Sequence, residues 1–451
     1  MSSPPSLPGL HYGETPLDRA LTLSLAGETE TALRWAAATL QGEPELPSAL
    51  LLVSELLAEV GRREPAREGL ETCVVRAIDA GLLPLAVAAC VALRKLGADA
   101  AKSFDAVADA FHARSERLDE DARVPPPPPP RHGELQPLSS LLMGPALVSK
   151  AVDVLRGAIA PLRQAMRDSS PSPMVPRLPL FSELSREGLR ALVEAFDVRL
   201  VPAGAVLIEE GTPGAEAFIV ARGELEVRRT GSDGAPVILA RLQSGQVFGE
   251  MALVSRAPRA ASVVASRPSL VLVAPVAALE SVAARAPEVG EQLASFCRER
   301  MLQNLVRTSP ILGAVDPAER SSLMACFETR TFEAGQRLIR KGQAHSGLYL
   351  IASGSVEVVT GDGDERLRIA TLGPGEVVGE VAMILRRSAM ADCIAAHPTV
   401  ALHLSGAVFQ EALRAHPSLL AQLYELAVKR DEETSSVVAQ EATSADDYVL
   451  V

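Results

Sequence analysis

At 451 residues the chain has room for roughly two to four domains, and 47% hydrophobic residues suffice for several cores. A formal net charge of −12 argues against a general nucleic-acid binder, which would present a basic face. No apolar run reaches the roughly 18 residues of a membrane span.

Residues 1–13 are rich in serine and proline and read as loose. They lack the basic and apolar regions of a secretory signal. From 14 to 118 the spacing predicts a helical domain. Apolar residues recur at helical intervals in ALRWAAATL, ALLLVSELLAEV and LAVAACVAL. Glycine follows each run, at Gly27, Gly42, Gly61, Gly81 and Gly97, where a left-handed cap would end a helix. Alternate stops lie 34, 39 and 36 residues apart by their numbers. That is the length of a helix pair in an α-solenoid and is similar to tetratricopeptide-type repeats. Such a domain docks a protein partner, or it is a plain bundle packed on the rest of the chain.

Residues 119–177 read as a Pro-rich linker with one helix. Six prolines, Pro125 to Pro130, make an extended spacer of about 19 Å at about 3.1 Å per residue. Leu147, Ala151, Leu155, Ala158, Leu162 and Ala165 then form an apolar stripe, with Lys150, Arg156, Arg163 and Arg167 nearby. The expected helix packs on the domain that follows; dimerisation and membrane-surface binding are the alternatives.

The remainder repeats itself. Phe196, Gly204, Gly211 and Gly223 recur 131 residues later at Phe327, Gly335, Gly342 and Gly354. Gly245, Gly249 and Glu250 recur 130 later at Gly375, Gly379 and Glu380. Two copies of one domain are expected, at 178–308 and 309–430. Each opens with a helical run such as REGLRALVEAF and continues as short alternating strands with glycine turns, the pattern of a jelly roll. An acidic, Ser/Thr-rich tail at 431–451 is expected to be disordered.

The stretch FGEMALVSRAPRAASV, Phe248 to Val263, carries the chemistry. Gly249 lets backbone approach a ligand. Glu250 is an acceptor for a sugar hydroxyl. The turn after it offers free amides to a phosphate, and Arg259 adds a planar fork of donors. These residues read a sugar phosphate.

This stretch resembles the phosphate-binding cassette of cyclic-nucleotide-binding domains. The match to regulatory subunits of cyclic-AMP-dependent protein kinase runs through FGE, AL, PRAA and a final valine. The resemblance implies a small β-roll with flanking helices, whose last helix closes over the base. It places the ribose hydroxyl on Glu250 and the cyclic phosphate on Arg259. Phe248, Gly249, Met251, Ala252, Leu253, Ala260 and Ala261 complete the site, and Phe296 is a candidate base cap. Cyclic AMP is the expected ligand, because Ala260 stands where guanine selectors place a threonine.

The second cassette, VGEVAMILRRSAMADC (378–393), keeps Gly379, Glu380 and Ala382. It sets Ala389 and Met390 opposite Arg259 and Ala260. That copy is expected to bind cyclic nucleotide weakly or not at all, with Arg386 and Arg387 as possible substitutes.

Five scattered cysteines, Cys73, Cys90, Cys297, Cys326 and Cys393, lack metal spacing and read as reduced thiols in a cytoplasm. No catalytic residue and no metal site is expected, since Walker, GxSxG and kinase motifs are absent. Too little chain follows the second copy for a helix-turn-helix. Residues 119–177 also lack the arginine-rich inhibitor site of kinase regulatory subunits; RQAMRDSS is a poor match. The sequence therefore reads as a multidomain α and β chain: a solenoid-like helical domain, then two β-rolls. It is a non-catalytic receptor that meets a protein partner through its helices, alternatively a kinase inhibitor or a scaffold, with a homodimer left open.

Overall fold

The computed structural model describes residues 14–123, 136–167, 172–230, 235–251, 253, 257–313, 315–343, 347–361 and 367–447. These residues form two compact units. The first comprises residues up to Glu209 with Ala215–Glu250 and Ala261–Ala294; the second comprises Glu210–Gly214, Met251–Ala260 and residues from Ser295.

Six helices open the first unit: α1 (Pro16–Leu25), α2 (Thr29–Gly42), α3 (Pro47–Glu59), α4 (Arg63–Asp79), α5 (Leu83–Lys95) and α6 (Ala101–Phe111). Each packs on its predecessor. α1 starts at a capping box, in which the Asp18 amide donates to the Thr15 hydroxyl and the Thr15 amide to the Asp18 carboxylate. Gly27, Gly61, Gly81 and Gly97 sit at φ 71 to 81°. The amide after each reaches back five residues, as Glu28 to the Leu23 carbonyl at 2.9 Å and Arg62 to that of Leu57 at 2.8 Å. These are Schellman ends, which need the left-handed residue. Gly42 is not one of them: it is the last helical residue of α2, and the chain leaves through Glu43 at φ −131°.

A short parallel pair, β1 (Leu118–Asp119) with β2 (Val175–Pro176), ties the two ends of the next segment. Between them lies α7 (Gly144–Arg167). Leu147, Ala151, Leu155 and Ala158 are buried as the stripe requires, but against α2, α3 and α4. The expected packing on the first nucleotide domain is thus corrected: α7 extends the helical array. Gly69 makes room for it, since a Cβ there would lie 2.9 Å from Leu155 Cδ1. Arg76 of α4 donates to the Ala158 carbonyl at 2.6 Å. The basic residues Arg156 and Arg163 face Glu68 at 3.8 and 3.5 Å. The proline run lies outside the described residues.

After α8 (Arg186–Glu194) come eight strands: β3 (Asp197–Val201), β4 (Val206–Ile208), β5 (Glu216–Arg222), β6 (Glu224–Thr230), β7 (Pro236–Gln243), β8 (Val247–Phe248), β9 (Ser262–Ala265) and β10 (Ser269–Pro275). They form two four-stranded sheets, β3-β10-β5-β8 and β4-β9-β6-β7. Phe218, Val220, Leu225, Phe248 and Val271 fill the core between them. α9 (Val276–Arg285) follows and packs on β10 and α8.

The helical array rests directly on this roll. α5 meets β3, β5 and β10, and α6 meets α8. Asp18, 1% exposed, pairs with Arg222 of β5 at 2.7 Å and with Arg267. Burial opposes its ionisation, but the two arginines outweigh burial and hold its carboxyl below the usual range. Arg94 donates to the Glu194 and Phe196 carbonyls, each at 2.9 Å.

α10 (Pro287–Thr308), α11 (Pro310–Gly313) and α12 (Pro317–Ala325) lead into the second roll. Its strands are β11 (Glu328–Phe332), β12 (Arg337–Ile339), β13 (Gly347–Ser353), β14 (Val356–Thr360), β15 (Leu367–Leu372), β16 (Val377–Val378), β17 (Asp392–Ala395) and β18 (Thr399–Ser405). Their order, β11-β18-β13-β16 and β12-β17-β14-β15, repeats that of the first roll strand for strand. α13 (Glu380–Ile384) lies in its cassette, and α14 (Gly406–Ala415) and α15 (Pro417–Asp447) close the chain. The tail from Asp431, expected to be disordered, continues α15 as far as Asp447. It holds neither glycine nor proline, so its polarity did not prevent a helix.

Candidate functional site

The first cassette starts where β8 pairs with β5, Phe248 opposite Phe218. Their rings stack at 5.1 Å, which fixes the end of the strand. Gly249 then turns at φ 72°, a left-handed value that a side chain would resist. Glu250 follows with 5% exposure. Phe248, Gly249 and Glu250 end a segment of the first unit, whereas Met251 to Ala260 belong to the second. Within the second unit Met251 packs on a core of Met301, Leu305, Leu348 and Leu404. The Arg259 amide donates to the Thr212 carbonyl at 2.8 Å, and the Gly211 amide donates to the Arg259 carbonyl at 2.9 Å. Leu253 and Ala261 are half-buried and Ala260 is exposed; Ala252 lies outside the described residues.

The second roll builds its cassette within one unit. Gly379 takes φ 94° and starts α13, whose first residue, Glu380, is 2% exposed. The Gly342 amide donates to the Ala389 carbonyl at 2.8 Å, and the Ala389 amide donates to the Gln343 carbonyl at 3.2 Å. These are the same two backbone bonds that hold Arg259. Ala389 therefore occupies the arginine's backbone position, with a methyl group where the first copy has a guanidinium.

α15 supplies a cation from elsewhere. Arg430 donates to Glu380 Oε1 at 2.7 Å and to the Val377 carbonyl at 2.6 Å, and it reaches Glu376 at 3.3 Å. Burial raises the Glu380 carboxyl above its usual value, and Arg430 opposes the shift. Arg387 pairs with Asp431 of the same helix, so its charge is committed there. The sequence reading missed Arg430. One signal could have found it: Arg300 and Arg430 stand 130 apart, the offset of the cassettes.

A cavity of about 300 Å³ lies behind this pair. Ile339, Val358, Leu372 and Val378 form its apolar wall, and Met390 and Leu426 also line it. Cys393 on its floor is buried, which pushes the thiol up to about 12 and leaves it unreactive at neutral pH. Leu426 stands 130 residues after Phe296.

Among the described residues no group of three or more His, Cys, Asp or Glu side chains could hold a metal, and no helix is long and apolar enough to cross a membrane.

Residues 198–286 and 329–416 each match the family model of the cyclic nucleotide-binding domain. The chain is 30% identical over 262 residues to a cAMP-dependent protein kinase regulatory subunit of Hypocrea atroviridis, covering 56% of this chain and 54% of that one. It is 32% identical over 218 residues to the subunit of Schizosaccharomyces pombe, covering 46% and 50%. It is 28% identical over 242 residues to that of Colletotrichum orbiculare, covering 52% and 60%. The chain thus spans about half to three-fifths of the curated relatives it matches.

Proposed function

We propose that this chain, which carries two cyclic nucleotide-binding domains in tandem, is a non-catalytic receptor that converts cyclic AMP binding into a change of protein contacts. The observation that carries the reading is the first cassette. It sets a buried carboxylate, Glu250, directly after a left-handed glycine and has Arg259 nine residues on. Glu250 takes the ribose hydroxyl, Arg259 takes the phosphate, and Phe248, Gly249, Met251, Ala252, Leu253, Ala260 and Ala261 shape the site. The second roll, with Ala389 in the arginine's position, does not share this ligand.

The route for the signal lies in the first unit. α9 follows the roll and packs on α8. α8 is held by the helical array through Arg186 and Arg190 to Asp105 at 3.1 and 3.0 Å, and through Arg94 to the Glu194 carbonyl. A ligand that moves α9 therefore acts on α5 and α6 through α8. The repeat-like spacing of the array supports a tetratricopeptide-like docking surface for a cytoplasmic protein partner, although α7 and the roll already cover part of it.

A second reading draws on the curated relatives, all described as regulatory subunits of cAMP-dependent protein kinase. On that reading the partner is a kinase catalytic subunit. One experiment addresses both: capture of partners from a lysate by the full chain, with and without cyclic AMP. Release or recruitment of a partner by the nucleotide supports the receptor, and a kinase among those partners selects the second reading. A partner set indifferent to cyclic AMP, from a chain that binds it, contradicts both.

A further inference from the structure

The second roll lacks the arginine that would hold a phosphate, yet it has not filled in. Its cavity of about 300 Å³ is at the lower end of the roughly 300–1,000 Å³ of small-molecule sites. Small side chains maintain it, Ala370, Ala389 and Ala391 among them.

The charges around it do not suit an anion. Its lining holds four acidic residues, Glu376, Glu380, Asp431 and Glu433, and two basic ones, Lys429 and Arg430, and Arg387 pairs with Asp431 from beside it. Arg430 is spent on Glu380, Glu376 and the Val377 carbonyl. A phosphate entering here would meet a lining with more acidic than basic residues, whose buried cation, Arg430, is already engaged, and burying it would be costly. A hydroxyl group meets the opposite situation. A carboxylate has about four lone-pair positions on its two oxygens. Arg430 contacts Oε1 of Glu380, so the group keeps capacity to accept from a ligand. The rest of the wall, Ile339, Val358, Leu372 and Val378, suits a flat apolar body.

We propose that the cavity of the second roll binds an uncharged, hydroxyl-bearing molecule of about nucleoside size, and excludes the cyclic phosphate. This rests on the reading of that roll as a nucleotide-type fold whose phosphate arginine is gone. It does not require that the first roll bind cyclic AMP.

The test is calorimetry on the full chain carrying Glu250→Ala and Arg259→Ala together, which removes both the ribose and the phosphate contacts proposed for the first cassette. The probes are adenosine, guanosine and their cyclic 3′,5′-monophosphates. At least one nucleoside should bind one to one, with the cyclic form weaker by at least about tenfold. Ala391→Leu, which fills the cavity, should abolish that heat while the melting curve stays cooperative. Glu380→Gln should weaken it. The double change Ala389→Arg with Met390→Ala should shift preference toward the cyclic form. Absence of nucleoside heat up to about 1 mM, the weak end of the affinity scale, would overturn the proposal, as would equal or tighter binding of the cyclic form. A parallel titration of cyclic AMP into the unaltered chain reports the first roll alone, so failure of one reading is distinguishable from failure of the other.

Discussion

Arg430 donates to Glu380 at 2.7 Å across fifty residues of chain, and with the pair of Arg387 and Asp431 it ties the last helix to the second cassette. Arg430 and Glu380 are largely buried, with side-chain exposures of 18% and 3%. Both residues line the cavity, and the Arg430 guanidinium is engaged there by Glu380, Glu376 and the Val377 carbonyl.

The buried Asp18 pairs with the half-buried Arg222 and Arg267 and fastens the first helix to the first roll. Removing one charge from a buried pair leaves the other uncompensated. Asp18→Asn should therefore destabilise the first unit by about 3 kcal/mol. Equilibrium unfolding in urea, followed by the fluorescence of Trp35 in the adjacent α2, measures this.

His403 should make the second unit sensitive to acid. It is 6% exposed, and its ring lies 4.6 Å from that of Tyr349. Burial lowers its pKa, Arg330 adds to the shift and Glu328 opposes it. The unfolded chain titrates near the ordinary value of about 6.5. Below that pH the unfolded state takes up a proton that the folded state refuses. Stability should thus be full above about pH 6.5 and fall as the pH drops toward the lower folded value. Melting curves between pH 7.5 and 5, a range bracketing about 6.5, should show the loss in the wild type and a smaller one in His403→Leu.

The base preference follows from Ala260, which offers no hydroxyl next to Arg259. Cyclic AMP should displace cyclic GMP in competition on the full chain. Ala260→Thr should narrow the gap, since one added hydrogen bond is worth about 1 kcal/mol.

The cassette was legible because its chemistry is contiguous: carboxylate, glycine and arginine fall within a dozen residues. The repeat was legible because turn glycines recur at a fixed offset. α7 was legible as a helix but not in its location. Its stripe says that Leu147 and Leu155 are buried, not that Gly69 leaves the gap they fill. The pairing of Arg430 with Glu380 was missed because nothing local to either residue points to the other. The helix past Asp431 was missed because charge and serine content were weighed above the absence of helix breakers.

The first roll alone is expected to read the cyclic phosphate. Titration of cyclic AMP into the full chain, beside Arg259→Ala and Glu380→Ala variants, tests it most directly. One tight site per chain is expected. Arg259→Ala should weaken it about ten- to a hundredfold, the worth of a hydrogen bond to a charged group, and Glu380→Ala should leave it unchanged. Two sites of similar affinity, with the second abolished by Glu380→Ala, would contradict the account, as would the absence of any heat from the unaltered chain.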